Sequence, residues 1–229
     1  MQNINIIPPG DVNSCINITA SNITYNCNGF WISNTALAKP GIYAGDNLVN
    51  VTIKNCNVTM SAAAGSNAIQ FNLVNNSFII NNIANSNSYG IFLSSSSNNN
   101  VTGNTANSNS NGGIYLQSSS NNNQITNNTA NSNTYGIYLY SSSNNQILNS
   151  ITNSNIYGVL LESSLNNTLT NNNIWNCTAA GASGCIYITS TSQNNIFTGG
   201  LINLSSSNLI YLGASTGSNN NNIFKDLTL

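Results

Sequence analysis

Four carboxylates, three lysines, five cysteines and ten tyrosines carry what chemistry this 229-residue chain can do, and it contains neither histidine nor arginine. The acids are Asp11, Asp46, Glu162 and Asp226. Only Asp226 has a charged neighbour in sequence, Lys225, and the pair reads as a solvated or capping pair. Without histidine, imidazole catalysis and histidine metal sites are excluded. A Ca²⁺ site could draw on Asn and backbone carbonyls, but a hard cation usually asks for several clustered carboxylates. With 3% of residues charged and a net charge of −1, the basic density that holds nucleic acid is missing. The residues therefore predict no catalytic group, no metal, no cofactor and no nucleic-acid partner.

Cys15, Cys27, Cys56, Cys177 and Cys185 are odd in number, so at least one is free or paired between chains. Cys177 and Cys185 flank a Gly/Ala-rich loop suited to a local disulfide. Cys27 and Cys56 end the similar segments 22–27 and 50–56, and would bridge if those segments stack; Cys15–Cys27 is the competing pair. Candidate N-glycosylation sequons begin at Asn17, Asn22, Asn50, Asn57, Asn75, Asn100, Asn127, Asn166, Asn176 and Asn203. In so Asn-rich a chain each is weak evidence by itself. No run of eighteen apolar residues exists, so no membrane span is expected. The start, Met1 to Pro9, has neither the basic nor the long apolar region of a secretion signal. Removal of a signal, or assembly inside a cell before release, is the expected route outward.

What could position these groups is set by a repeat. Gly90-Ile-Phe-Leu93 returns as Gly113-Ile-Tyr-Leu116, Gly136-Ile-Tyr-Leu139 and Gly158-Val-Leu-Leu161, with looser copies starting at Gly41, Ala68, Cys185 and Leu209. A second motif follows, as in Val101-Thr-Gly-Asn104, Ile125-Thr-Asn-Asn128, Ile147-Leu-Asn-Ser150 and Leu169-Thr-Asn-Asn172. Apolar residues alternate within each copy, so Ile114 and Leu116 point one way and Tyr115 the other, as in a strand. Strands this short cannot bury their inward face alone. Stacking the same rung makes a continuous Ile/Leu/Val column, each buried side chain worth about 1.5–3 kcal/mol. The helical alternative lacks three-to-four spacing and is poor in helix formers.

Asn and Ser, 53 and 33 residues, make up about 38% of the chain, and their phase decides between disorder and order. Asn85, Asn107, Asn131 and Asn153 share one repeat position, Asn87, Asn109, Asn133 and Asn155 a second, and Asn98, Asn122, Asn144 and Asn166 a third. Stacked at about 4.8 Å, such amides can hydrogen-bond up and down the axis. Asn also tolerates the left-handed backbone of tight corners.

The rung Gly-Ile-Tyr-Leu-x-Ser-Ser-Ser-Asn-Asn-x-Ile-Thr-Asn-Asn-x-Ala-x-Ser-Asn resembles the right-handed parallel β-helix repeats of the NosD-like and pectate-lyase-like superfamily. The resemblance implies an all-β chain, a single-stranded right-handed parallel β-helix of about 8–9 rungs of 22–27 residues. Residues 41–229 form the repeats and residues 1–40 an N-terminal cap with an irregular first rung. It does not decide function, since that superfamily includes lyases, hydrolases, adhesins and viral tailspikes. Its pectate lyases resemble one another in clustered acids with an Arg or Lys base, and its polygalacturonases in several Asp with His and basic residues nearby. This chain lacks those sets. Asp46 and Glu162 fall about five rungs, or roughly 24 Å, apart, whereas paired carboxyls of a glycosidase need about 5–10 Å. The copper chemistry associated with NosD relatives finds no His and only Met1 and Met60.

An aromatic stripe remains as the candidate functional surface. Phe92, Tyr115, Tyr138, Tyr187 and Tyr211 share the outward position, interrupted by Leu160, and Tyr89, Tyr135 and Tyr157 mark a neighbouring line. Exposed rings would suit sugar stacking or subunit packing; rings stacked on one another would only stiffen the solenoid. The leading expectation is a non-enzymatic extracellular, cell-surface or virion-surface β-helix: a fibre, spike, filament subunit or adhesin. Its partner would be itself, end to end or as a homotrimer, with glycans as further ligands. Near-absent charge suits extreme pH, where few groups titrate, and apolar Ile223 and Leu227 near Leu229 leave a sticky end. The alternative is a carbohydrate-binding or carbohydrate-cleaving module. An ice-binding face is weaker, because Leu148 interrupts Thr102, Thr126 and Thr170.

Overall fold

The computed structural model describes residues 14–36, 38–178, 184–204, 208–213 and 221–229, and among these there is no helix. Asp11 and Met1 lie outside the described residues, as does most of the Gly/Ala loop before Cys185. The strands stack in parallel as a β-solenoid of about eight turns.

The Gly-Ile-Tyr-Leu copies build the first sheet. Its nine strands, in spatial order, are Ile16–Ile18, Ile42–Ala44, Ile69–Asn72, Tyr89–Ser94, Gly112–Gln117, Tyr135–Tyr140, Tyr157–Glu162, Gly184–Thr189 and Asn208–Leu212. The second motif builds the second sheet, from Thr24–Asn26 through Asn100–Thr102, Gln124–Thr126 and Gln146–Leu148 to Ile223–Lys225. A third, thinner face starts with Trp31–Ser33 on Asn57–Thr59 and continues as single bridges from Ile83 to Thr105, Thr129 and Ile151. In the long strand Thr168–Cys177 the second and third faces merge. Register in the first sheet is in phase, with Ile91, Ile114, Ile137, Val159, Ile186 and Ile210 paired in sequence, and the pairing of the long strand shifts between Trp175 and Cys177 at its end.

Three apolar columns meet inside. Ile114/Leu116-type pairs come from the first sheet, Ile79, Val101, Ile125, Ile147, Leu169 and Phe197 from the second, and Ala84, Ala106 and Ala130 from the third, all essentially inaccessible. The glycine that opens five of the first-sheet copies has a steric reason, although Ala68, Cys185 and Leu209 take the same place in other rungs. A methyl group at Gly113 would stand 2.6 Å from the Ala130 Cβ and 2.8 Å from the Gly136 carbonyl oxygen, so the corner closes only without it.

Much of the interior is polar, and apart from the Asn67 Oδ1 and the Thr152 Oγ1 its described buried side-chain polar atoms are hydrogen-bonded. Asn99, Asn123, Asn145, Asn167 and Asn195 are buried in one column. Asn123 donates its backbone N–H (2.8 Å) and its Nδ2 (3.2 Å) to the Asn145 Oδ1, donates Nδ2 to the Ser96 carbonyl at 3.0 Å, and accepts the Asn99 N–H at 2.8 Å. Asn87, Asn109, Asn133 and Asn155 form the same kind of ladder, with amide–amide contacts of 3.1–3.2 Å. A further ladder on Asn82, Asn104 and Asn128 passes on to Ser150 and Asn172. These are neutral groups, so no pH change unmakes them.

Two of the expected Asn columns do something else. Asn98, Asn122, Asn144 and Asn166 are exposed corner residues with φ of 57–59°, the left-handed conformation that Asn accepts; the ladder runs through their C-terminal neighbours instead. Asn85, Asn107 and Asn131 lie outside the third face, where each Oδ1 accepts the backbone N–H of the next rung at 2.7–2.8 Å rather than an amide.

Two disulfides are present, Cys27–Cys56 between the first rungs and Cys177–Cys185 across the late loop, and Cys15 is the free thiol. Residues 14–33 thus join the solenoid through both sheet pairing and a covalent bridge.

Candidate functional site

The outer face of the first sheet gathers the aromatic side chains because strand alternation turns every second residue outward. One registered line runs Tyr43, Gln70, Phe92, Tyr115, Tyr138, Leu160, Tyr187, Tyr211. A second runs Tyr89, Gly112, Tyr135, Tyr157. The two lines interleave into one ladder. Tyr89 lies across the side-chain-free Gly112 to stack on Tyr115 at 5.0 Å, and Tyr115 stacks on Tyr138 at 4.6 Å with planes 15° apart. Tyr135 then meets Tyr157 at 5.4 Å, Tyr157 meets Tyr187 at 5.7 Å, and Tyr187 meets Tyr211 at 5.3 Å. Tyr157 thereby bridges the rung where Leu160 interrupts the first line, and Leu160 is buried.

This corrects the picture of exposed rings. Tyr115 is buried, and Phe92, Tyr138, Tyr187, Tyr211, Tyr89, Tyr135 and Tyr157 are half-buried. Rungs recur at about 4.8 Å, close to the optimal separation of stacked rings, so the rings spend their faces on one another. What the ladder offers outward is its edges.

One ring of this sheet is exposed. Tyr140, two residues on from Tyr138 and therefore on the same side of the sheet, is 39% exposed and tilted 51° to Tyr138 at 6.3 Å. Beside it, paired in register, is Glu162, with Thr189 on the following rung. The Tyr138 hydroxyl donates to the Glu162 Oε2 at 2.5 Å. Burial first, then this hydrogen bond and the carboxylate's charge, push the Tyr138 phenol far above its ordinary range. Burial likewise raises Tyr115, with smaller contributions from Tyr89 and Glu162, and raises Tyr89 and Tyr135. The row is therefore a set of neutral hydroxyl donors around one carboxylate. Neither Tyr140 nor its pairing with Glu162 was singled out from sequence, although the period-two step from Tyr138 and the 22-residue step to Glu162 encode both.

The other acids stay apart. Asp46 and Asp226 are exposed corner residues with positive φ, and five registered strand steps separate the Asp46 rung from that of Glu162. Among the described residues no group of three His, Cys, Asp or Glu could hold a metal. The ten sequon asparagines are all at the surface: Asn17, Asn22, Asn50, Asn127, Asn166, Asn176 and Asn203 are exposed, and Asn57, Asn75 and Asn100 half-buried. Leu148 interrupts the outer line of threonines on the second sheet, pairing with Thr126 and Thr170.

The comparisons agree on the architecture. The NosD family, described as periplasmic copper-binding protein, matches residues 12–176 and 49–226. No curated protein matches the sequence. Among solved structures, the A-module of the mannuronan C-5 epimerase AlgE4 of Azotobacter vinelandii is similar with a TM-score of 0.75 and 18% identity, over 90% of this chain and 59% of that one. The periplasmic alginate epimerase AlgG is similar with a TM-score of 0.66 and 16% identity, over 88% of this chain and 56% of that one. The Dettilon tailspike protein gp208 is similar with a TM-score of 0.64 and 15% identity, over 96% of this chain and 56% of that one. The chain spans little more than half the length of these proteins, and at such identities the likeness is one of fold. The leading expectation of a non-enzymatic structural fibre, spike, filament or adhesin is nonetheless corrected by them. The fold is shared with alginate and mannuronan epimerases, which favours the carbohydrate alternative.

Copper is not matched by the donors present. Cys15 is the one described free thiol, and it is held as a donor to the Met60 sulfur at 4.0 Å, with burial raising its pKa. A copper-binding thiolate needs the opposite shift, and no imidazole exists to complete a site.

Proposed function

The chain belongs to the NosD family, and we propose that it is a carbohydrate-binding β-helix whose recognition surface is the outer face of the first sheet. The observation that carries this is the open ring of Tyr140 beside the hydrogen-bonded Tyr138–Glu162 pair, at the centre of a row of neutral hydroxyls. A pyranose has an apolar face that suits an aromatic platform, and vicinal hydroxyls that suit a carboxylate acceptor and phenol donors. The fold shared with alginate and mannuronan epimerases supports the same ligand class.

Binding rather than cleavage is the reading favoured, because neither of the other described acids, Asp46 and Asp226, accompanies Glu162 on this face, and paired-carboxylate hydrolysis needs a second acid within about 5–10 Å. An extracytoplasmic location goes with this proposal, supported by two disulfides, which persist in oxidising compartments. Affinity electrophoresis through gels containing polysaccharides tests it. The wild-type chain is expected to be retarded and Tyr140→Ala to lose most of that retardation while keeping its circular dichroism. Equal retardation of both would remove Tyr140 from the site, and no retardation in any polysaccharide would remove the reading.

A further inference from the structure

Resting on that reading, we infer that the face selects uncharged glycans and rejects polyuronates, with Glu162 as both the anchor for sugar hydroxyls and the element that excludes sugar carboxylates. A uronate polymer carries one negative charge per unit, and binding it needs cationic side chains or bridging metal at the same spacing. The chain has three basic residues. Lys54 and Lys225 lie on strands of the second sheet, away from the tyrosines. Lys39 lines a crevice with Tyr43 and Gln70 at the early end of the aromatic line. Five registered steps separate Tyr43 from Leu160 on the Glu162 strand, about 24 Å at the usual strand spacing. Lys39 therefore stands well beyond a Debye length, about 8–10 Å at ordinary salt, from Glu162, and the other two lysines are carried by the other sheet.

The neighbours of Glu162 strengthen the selection. Tyr138 donates to it, and burial and the carboxylate itself keep that phenol protonated. Tyr140 and Thr189, adjacent in register, add a ring and a neutral hydroxyl. A sugar hydroxyl can donate to the free lone pairs of the carboxylate. A sugar carboxylate has no proton to donate at neutral pH and meets a like charge instead. The solved epimerases that share this fold act on alginate or mannuronan by name, so the inference separates this chain from them in ligand charge.

Isothermal titration with neutral hexaoses (cello-, laminari- and manno-) and with mannuronate and galacturonate hexamers tests this at 20 mM salt and pH 7. The best neutral hexaose is expected to bind at least about tenfold tighter than either uronate. In Glu162→Gln, which keeps the shape and loses the charge, the neutral sugar should weaken several-fold and the uronates should gain, closing most of the gap. Uronate binding as tight as neutral binding, or a gap unchanged in Glu162→Gln, would overturn the inference and leave the glycan-binding reading standing. No binding of either class would overturn both. Circular dichroism of the variant separates loss of fold from loss of selectivity.

Discussion

Two columns run along much of this molecule, one of amides inside from Asn99 to Asn222 and one of rings outside from Tyr89 to Tyr211, and both stack rung on rung. The amide column through Asn123 leaves nothing over. Asn123 directs its donors to Asn145 and Ser96 and accepts from Asn99, so the column is closed to any ligand and its role is cohesion. The rings also satisfy one another, through their faces, but the exposed Tyr140 ring and the half-buried Glu162 beside it stay at the surface. A repeat becomes a recognition surface where stacking leaves valence unspent. The difference between the columns should show in how they fail: amide changes should damage the fold, and edge changes should damage binding.

The largest effect is expected from Asn123→Leu. It strands the Asn99 N–H and the Ser96 carbonyl in the interior, costing about 3–5 kcal/mol, read as a lower urea midpoint. A loss below about 1 kcal/mol would mean the ladder is not the cohesive element. Gly113→Ala, which drives a methyl into Ala130 and the Gly136 carbonyl, should cost about 1–3 kcal/mol in the same assay.

The two columns should also part with pH. An unfolded tyrosine loses its proton near pH 10. Tyr138, Tyr115, Tyr89 and Tyr135 hold theirs to higher pH when folded, chiefly through burial. Above about pH 10 the unfolded chain thus binds fewer protons than the folded one, and stability falls as pH rises. Below that pH their contribution is complete, and the amide ladders add no titrating group. Thermal melts should accordingly be flat through neutral pH and drop on the alkaline side, with a shallower drop in Tyr138→Phe. A drop equally steep in that variant would place the alkaline sensitivity elsewhere. The smallest effect is expected from Tyr187→Phe, which keeps the stack with Tyr157 and Tyr211 and removes one edge hydroxyl: about two- to fivefold weaker glycan binding by titration, with an unchanged melting temperature.

How far the sequence could be read follows from what each residue's neighbours leave ambiguous. Gly113-Ile-Tyr-Leu116 declares its own phase, because the alternation of apolar and aromatic residues and the recurring glycine allow one register. Asn98-Asn99-Asn100 does not: three identical residues meet at a corner, and backbone geometry alone turns Asn99 inward and leaves Asn98 in the left-handed conformation. The aromatic line was legible as a line, with stacked rings and exposed rings left as alternatives, since the choice depends on the gap at Gly112 and on Tyr157 meeting Tyr187 past Leu160. The Tyr138–Glu162 contact needed two facts at once, the 22-residue step and a diagonal reach across neighbouring strands. The function first expected from missing charges was a structural one. On the proposed reading, the scarcity of basic residues and the placement of Glu162 are what would set the kind of sugar the face accepts.

The most direct test of the account is a crystal structure of the chain with the neutral hexaose that binds best. The account predicts sugar along the outer face of the first sheet, one pyranose against Tyr140 with a hydroxyl on Glu162, and the interior columns unchanged. Sugar bound on the second sheet, or at either end of the solenoid with the Tyr140 face bare, would contradict it.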